Sequence, residues 1–216
     1  TTDIPHPGGA QAFLQARMDA AFEMAALGID MRMNHPVVGG LHYRKLAEEK
    51  FQKAADEVTQ ILESGFDGAA VDPETGTPYF VYALRLAYEA RRPELIEAFL
   101  DNGADPRQHI SPDMPLLEKL IRNEKDASYL PDVRLGKSAM DMALKQFVQG
   151  QYHSHPHTDA ALAIIQALQD AGASLEEDVE RAAMYLDDQS NATEIAAVYL
   201  DENSDAAITS LKDFAQ

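Results

Sequence analysis

Apolar positions along the chain recur at helical spacing, in runs that mostly stop at a glycine. Gln11 to Leu27 sets Phe13, Ala20, Met24 and Leu27 on one side, which predicts an amphipathic helix turning that side to the core. Asn34-His35-Pro36 and Gly39-Gly40 then mark a loop. Leu41 to Glu63 reads as helical, with a break near Ala54. The stretch Tyr79-Phe80-Val81-Tyr82-Ala83-Leu84-Arg85-Leu86-Ala87 is too apolar for an exposed helix and predicts a buried one. It follows Thr77-Pro78, which reads as N-cap and first helical residue, and stops at Arg91-Arg92-Pro93. Glu94 to Asp101 comes next, with Leu95, Ile96, Phe99 and Leu100 at helical spacing. Gly136-Lys137-Ser138 opens a further helix through Met140 and Ala143. Its partner is expected over about Asp159 to Asp170, with Ala163, Ile164, Ala167 and Leu168 on one face. Between these lie an additional helix near Pro115 to Arg122, a loop over Asn123 to Leu135 and another over Tyr152 to Thr158. A degenerate pair, Glu177 to Leu186 and Thr193 to Leu200, and a last turn at Ile208 to Phe214 complete the pattern.

Three helix ends share one motif: Ile61-Leu62-Glu63-Ser64-Gly65-Phe66-Asp67, Phe99-Leu100-Asp101-Asn102-Gly103-Ala104-Asp105 and Ala167-Leu168-Gln169-Asp170-Ala171-Gly172-Ala173-Ser174. The apolar pair faces the core, and the glycine takes the left-handed conformation that closes a helix and occupies its last carbonyls. The residue after it favours a turn. Recurrence of a helix–turn–helix–glycine unit is the signature of a repeat architecture.

Thr77-Pro78 with Glu94 to Asp105, and Gly136 to Ala143 with Ala163 to Ser174, resemble the ankyrin repeat over roughly residues 40 to 203. The resemblance implies an all-α, ankyrin-type helical solenoid of about four irregular repeats. Residues 1–40 would form an N-terminal helical cap, 41–203 the repeats with an insertion near 112–137, and 204–216 an acidic C-terminal cap. Departures are the missing histidine of the family's Thr-Pro-Leu-His pattern, a longer first helix after Thr77, and a doubled spacing from Gly103 to Gly172. Ankyrin-type proteins bind other proteins on their loops and first helices. On this chain that surface implies Glu74, Arg107, His109, Asp113, Tyr129, Arg134, Glu177 and Asp178 as contacts.

Charge narrows the partner. The chain holds 18 Lys and Arg against 36 Asp and Glu, a net charge of −18. From Asp170 onward there are twelve acidic residues against Arg181 and Lys212. Such a field disfavours nucleic acid and anionic lipid and attracts a basic protein. It also serves solubility and supplies the polar outer face that a solenoid end requires. No stretch reaches the roughly 18 apolar residues of a membrane span, and Thr1 to Ala10 lacks a signal-peptide pattern.

The chain has no cysteine, which excludes disulfides, thiolate nucleophiles and Cys-based metal sites. His153, His155 and His157 alternate, and in an extended loop they would point one way and could share a metal. No other ligand cluster accompanies them and a Pro-containing polar surface loop explains them better, so no cofactor is expected. Gly136-Lys137-Ser138 fits a phosphate-binding loop poorly, because Pro131 occupies the position of its first glycine. No Ser-His-Asp arrangement is tied together, and adjacent acids such as Glu176 and Glu177 point apart on a helix. The expectation is a non-enzymatic bacterial scaffold, monomeric when free, in the cytoplasm or, with a leader removed, the periplasm. Its specific form is an immunity or inhibitor protein that masks a basic secreted toxin. The alternatives are a metal-handling or enzymatic protein using the three histidines, and a structural assembly subunit.

Overall fold

The structure, a computed structural model, describes residues 9–34, 40–110, 138–153 and 155–173. Within them the chain is all-helical: α1 (Gly9–Asn34), α2 (Gly40–Glu63), α3 (Tyr79–Ala90), α4 (Glu94–Asp101), α5 (Ala139–His153) and α6 (His155–Asp170). Among the described residues, extended pairing is confined to two isolated antiparallel bridges, Val71 with Pro78 and His109 with Ser138. The expected helix at Pro115 to Arg122, the loop at Asn123 to Leu135 and the segments after Ala173 lie outside the described residues.

Helices α1 and α2 pack along each other and run antiparallel: Arg17 pairs with Glu57 at 2.7 Å, while Gly28 lies against Phe51. A Cβ at Gly28 would stand 2.7 Å from Phe51 Cε1, so the two helices cross in close contact there. That crossing decides which face of α1 goes inside. The buried residues are Leu14, Met18, Ala21, Phe22, Ala25 and Ile29, one position round from the expected face. Phe13 and Leu27 are instead 47% and 53% exposed. Helix α1 is apolar on two sides, and small residues at Ala21, Ala25 and Gly28 select the side that can approach α2. Nor does α2 break at Ala54: that alanine is fully buried in an unbroken stripe of Ala47, Phe51, Ala54, Ala55, Val58, Ile61 and Leu62, and alanine is the best helix former.

Helix α3 contacts all five other described helices. Every one of its residues but Arg85 is buried, as its nearly uniform apolarity requires. It begins differently from expectation. Pro78, at φ −57° and ψ 133°, precedes the helix, and no side chain caps it. The Thr77 residue is held instead by its backbone, its carbonyl accepting from Asp72 N at 2.8 Å, and the first helical amide, Tyr79 N, donates to Ala70 O at 3.1 Å. The bridge thus does the work expected of the threonine hydroxyl. Helix α5 has a side-chain cap, with Ser138 Oγ accepting from Asp141 N at 3.0 Å.

The three glycine motifs close their helices identically. Gly65 N donates to Leu62 O, Gly103 N to Leu100 O and Gly172 N to Gln169 O, at 2.9 to 3.0 Å. The next amides, of Phe66, Ala104 and Ala173, reach back to Ile61, Phe99 and Leu168, and all six of those side chains are buried. The glycines have φ of 86°, 97° and 94°. Helix α3 ends with the same two bonds, Arg91 N to Tyr88 O and Arg92 N to Ala87 O, but Arg91 holds the left-handed position at φ 56°.

Successive closures are tied together. Gly68 N donates to Asn102 O at 2.8 Å, so the loop after α2 lies on the end of α4. A Cβ at Gly68 would overlap Phe99 O and sit 3.0 Å from Asn102 O. Gly172, in contrast, has open space around it, so an alanine there suffers only from backbone strain, about 1–2 kcal/mol. Gly68→Ala should therefore destabilise more than Gly172→Ala, by about 1–3 kcal/mol from overpacking. Urea midpoints of the two variants test this, and the reverse order would contradict the loop contact.

Candidate interaction surface

The first two glycine closures hand the chain to an aspartate. Asp67 Oδ1 accepts from Ala69 N and Asp105 Oδ1 from Arg107 N, both at 2.9 Å. The bridges follow, with Val71 and His109 in equivalent positions. In the hairpin between Val71 and Pro78, the buried Asp72 organises the turn. Its Oδ1 accepts from Glu74 N at 2.8 Å, and its Oδ2 from Tyr82 OH at 2.8 Å and Thr75 Oγ1 at 2.9 Å. Burial, assisted by Asp72, pushes the Tyr82 phenol up to about 12. Tyr79, fully buried, donates to Asp19 and accepts from Gln15 on α1; burial and then Asp19 raise its phenol still further. Tyr82 holds the turn in place, Tyr79 ties α3 to α1, and both are core residues.

Of the expected contacts, Glu74 and His109 are exposed in these loops. Arg107 is exposed too, but its Nε donates to Gly172 O at 3.0 Å, placing a cation on the C-terminal carbonyls of α6. Its first role is to join two closures. Asp113, Tyr129, Arg134, Glu177 and Asp178 lie outside the described residues.

The segment holding His153, His155 and His157 is not an extended loop. Helix α5 reaches His153 and α6 starts at His155, so the alternation argument, which requires a strand-like backbone, fails there. Apolar positions continuing through Phe147 and Ala160 carry both helices into the expected loop. His157 is half-buried, its ring 5.2 Å from that of Tyr88. No group of three or more His, Asp or Glu placed to hold a metal is present among the described residues.

Two arrangements were not anticipated. The first is a repeated acid. Helices α2, α4 and α6 end in Glu63, Asp101 and Asp170, each two residues before the closing glycine, each exposed, with no basic residue in the last turn. A helix C-terminus carries partial negative charge, so an acid there is locally unfavourable. The three motifs displayed these residues at one position.

The second is a buried charge. Glu89, fully inside, meets both terminal nitrogens of Arg32 from α1 and Arg85 from its own helix at 2.7 Å. The Arg32 guanidinium also lies over Phe51, 5.9 Å from the ring centroid. Burial opposes ionisation of Glu89, but Arg85, Arg32 and His157 outweigh it and hold the carboxyl below its ordinary range. The i, i+4 spacing of Arg85 and Glu89 was the available signal.

No helix of the described residues is long and apolar enough to cross a membrane. In comparisons with known proteins, no family model, no curated protein and no solved structure matches the chain.

Glu89→Gln keeps the shape of the buried group and removes the charge facing two arginines. It should cost about 2–4 kcal/mol near pH 7, below the range for wholly buried pairs because the arginines reach solvent. With its folded pKa depressed, the Glu89 contribution is complete above the unfolded value near 4.5 and is lost as pH falls through the lower folded value. The stability gap between wild type and E89Q, read from urea midpoints, should thus close on acidification.

Proposed function

We propose that the protein is a divergent ankyrin-type scaffold that binds one basic protein partner along the edge formed by its helix closures. The observation that carries this reading is the repeated acid at the negative ends of α2, α4 and α6, with no basic residue in any of the three last turns. Three equivalent helices break the same electrostatic preference at the same position. Local rules broken without structural gain cluster at functional sites, and a Lys- or Arg-rich surface would relieve all three at once.

The solenoid reading draws support from the identical closures at Gly65, Gly103 and Gly172 and from the equivalent bridges ahead of α3 and α5. Contacts of α2 with α4 and of α4 with α6 place the three acidic ends in succession. Loops bearing Glu74 and His109 extend the same edge. A stoichiometric inhibitor of a basic secreted toxin is the form of this function that the small size and the net charge of −18 favour.

The test is a triple variant, Glu63→Gln, Asp101→Asn and Asp170→Asn. It should melt no lower than wild type, because it relieves the helix dipoles, yet lose capture of the basic partner recovered by wild type from the native source. The wild-type association rate should fall by about tenfold or more between low and high salt. Retained binding in the triple variant, or an association rate indifferent to salt, would overturn the proposal.

A further inference from the structure

The charge cluster around Glu89 holds more donors than its carboxylate engages among the described residues. Arg85, Tyr88 and Glu89 fall at i, i+3 and i+4 and share one face of α3. Arg32 meets that face from α1, and His157, in the first turn of α6, packs beside Tyr88 with its ring tilted at 59°. Two guanidiniums and an imidazole therefore surround one carboxylate, in a chain of net charge −18. Both oxygens of Glu89 are already engaged by arginine. Two buried donors on the same face, Arg85 Nε and the Tyr88 hydroxyl, have no hydrogen-bond partner among the described residues. A buried donor without an acceptor costs roughly 1–3 kcal/mol and is rare in folded proteins, and two in one cationic cluster point to a missing group. Arg32 and Arg85 keep 36% and 25% of their side chains exposed, which gives a route in from solvent.

We infer that this cluster binds a small oxyanion of carboxylate or phosphate type, whose oxygens accept from Arg85 Nε and Tyr88 OH while Arg32 and His157 balance its charge. The site lies at the C-terminal ends of α1 and α3, at the opposite end of α3 from the Asp72 hairpin that precedes it. It takes a ligand of opposite sign to the basic partner, so it does not depend on that reading.

Inorganic phosphate, acetate and chloride at matched ionic strength, added to the whole chain, separate the possibilities. Phosphate or acetate should raise the melting temperature by at least about 2 °C beyond chloride, and the more effective anion identifies the ligand type. Tyr88→Phe removes a hydroxyl that has no partner among the described residues, so it should fold as stably as wild type in chloride and lose at least half of the anion-dependent gain. Arg44→Gln, on the exposed side of α2, should keep the full gain. Calorimetric titration of phosphate and acetate into wild type and Y88F reads binding directly. No gain over chloride, or an equal gain and equal titration in Y88F, would overturn the assignment and leave a buried water as the acceptor.

Discussion

The burial of α3 is the constraint around which the other helices are arranged. A helix apolar on every side is stable only when covered on every side, and α3 is met by all five other described helices. Full enclosure raises the cost of any polar group on it. The Glu89 carboxylate is tolerated because two arginines arrive with it, one from the same helix and one from α1. Gln146 shows a smaller version of the same logic, its buried Nε2 donating to Leu84 O at 3.0 Å and so joining α5 to α3. Polar ties of this kind specify how α1 and α5 sit on a surface that apolar packing alone would leave free to slide.

Backbone geometry, more than side-chain packing, sets the spacing of the helix pairs. The closures of α4 and α6 each aim a carbonyl at the loop after the preceding closure, where Gly68 N or Arg107 Nε donates to it. Gly68 is needed because backbone meets backbone at that point, leaving no room for a Cβ. One device thus ends a helix, starts the loop and anchors the neighbouring pair, which explains why a single short motif recurs while the helices between its copies vary in length.

What was legible in the sequence followed from strictly local physics. A left-handed glycine after an apolar pair has one structural meaning, and all three were placed correctly, as was the buried character of Tyr79 to Ala87. Errors arose where a distant partner decides. The inward face of α1 depends on the close crossing of Gly28 with Phe51, which periodicity cannot see because Phe13, Ala20, Met24 and Leu27 form an equally regular stripe. Thr77 had the right composition for a cap, but Ala70 supplied the acceptor from the other side of a hairpin. The histidine segment was taken for a loop because proline and alternation outweighed the apolar positions around it. Arg91 closes α3 without the glycine that marks the other ends, at a conformational cost of roughly 1–2 kcal/mol, so Arg91-Arg92-Pro93 announced the end of the helix but not its left-handed closure. Of the candidate site, Glu74 and His109 were legible as loop residues. The acids of the helix ends were in plain view and gained meaning only once their last turns proved to hold no compensating cation.

Those acids bear on why the chain departs from helix preferences in one place and obeys them in another. At α1 the last turn carries Arg32, in accord with the dipole, and that arginine is committed to the buried Glu89. At α6 the compensating cation, Arg107, is borrowed from a loop and reaches Gly172 O past the exposed Asp170. The chain therefore has cations available for helix ends and places them where they hold elements together, while the helix ends along one edge keep their acids. Negative potential concentrates along that edge. Positive charge gathers at the far end of α3, around Glu89. A basic partner, as proposed, would be drawn to that edge by its concentrated negative charge, and the spacing of the three acids along it would orient the approach before contact.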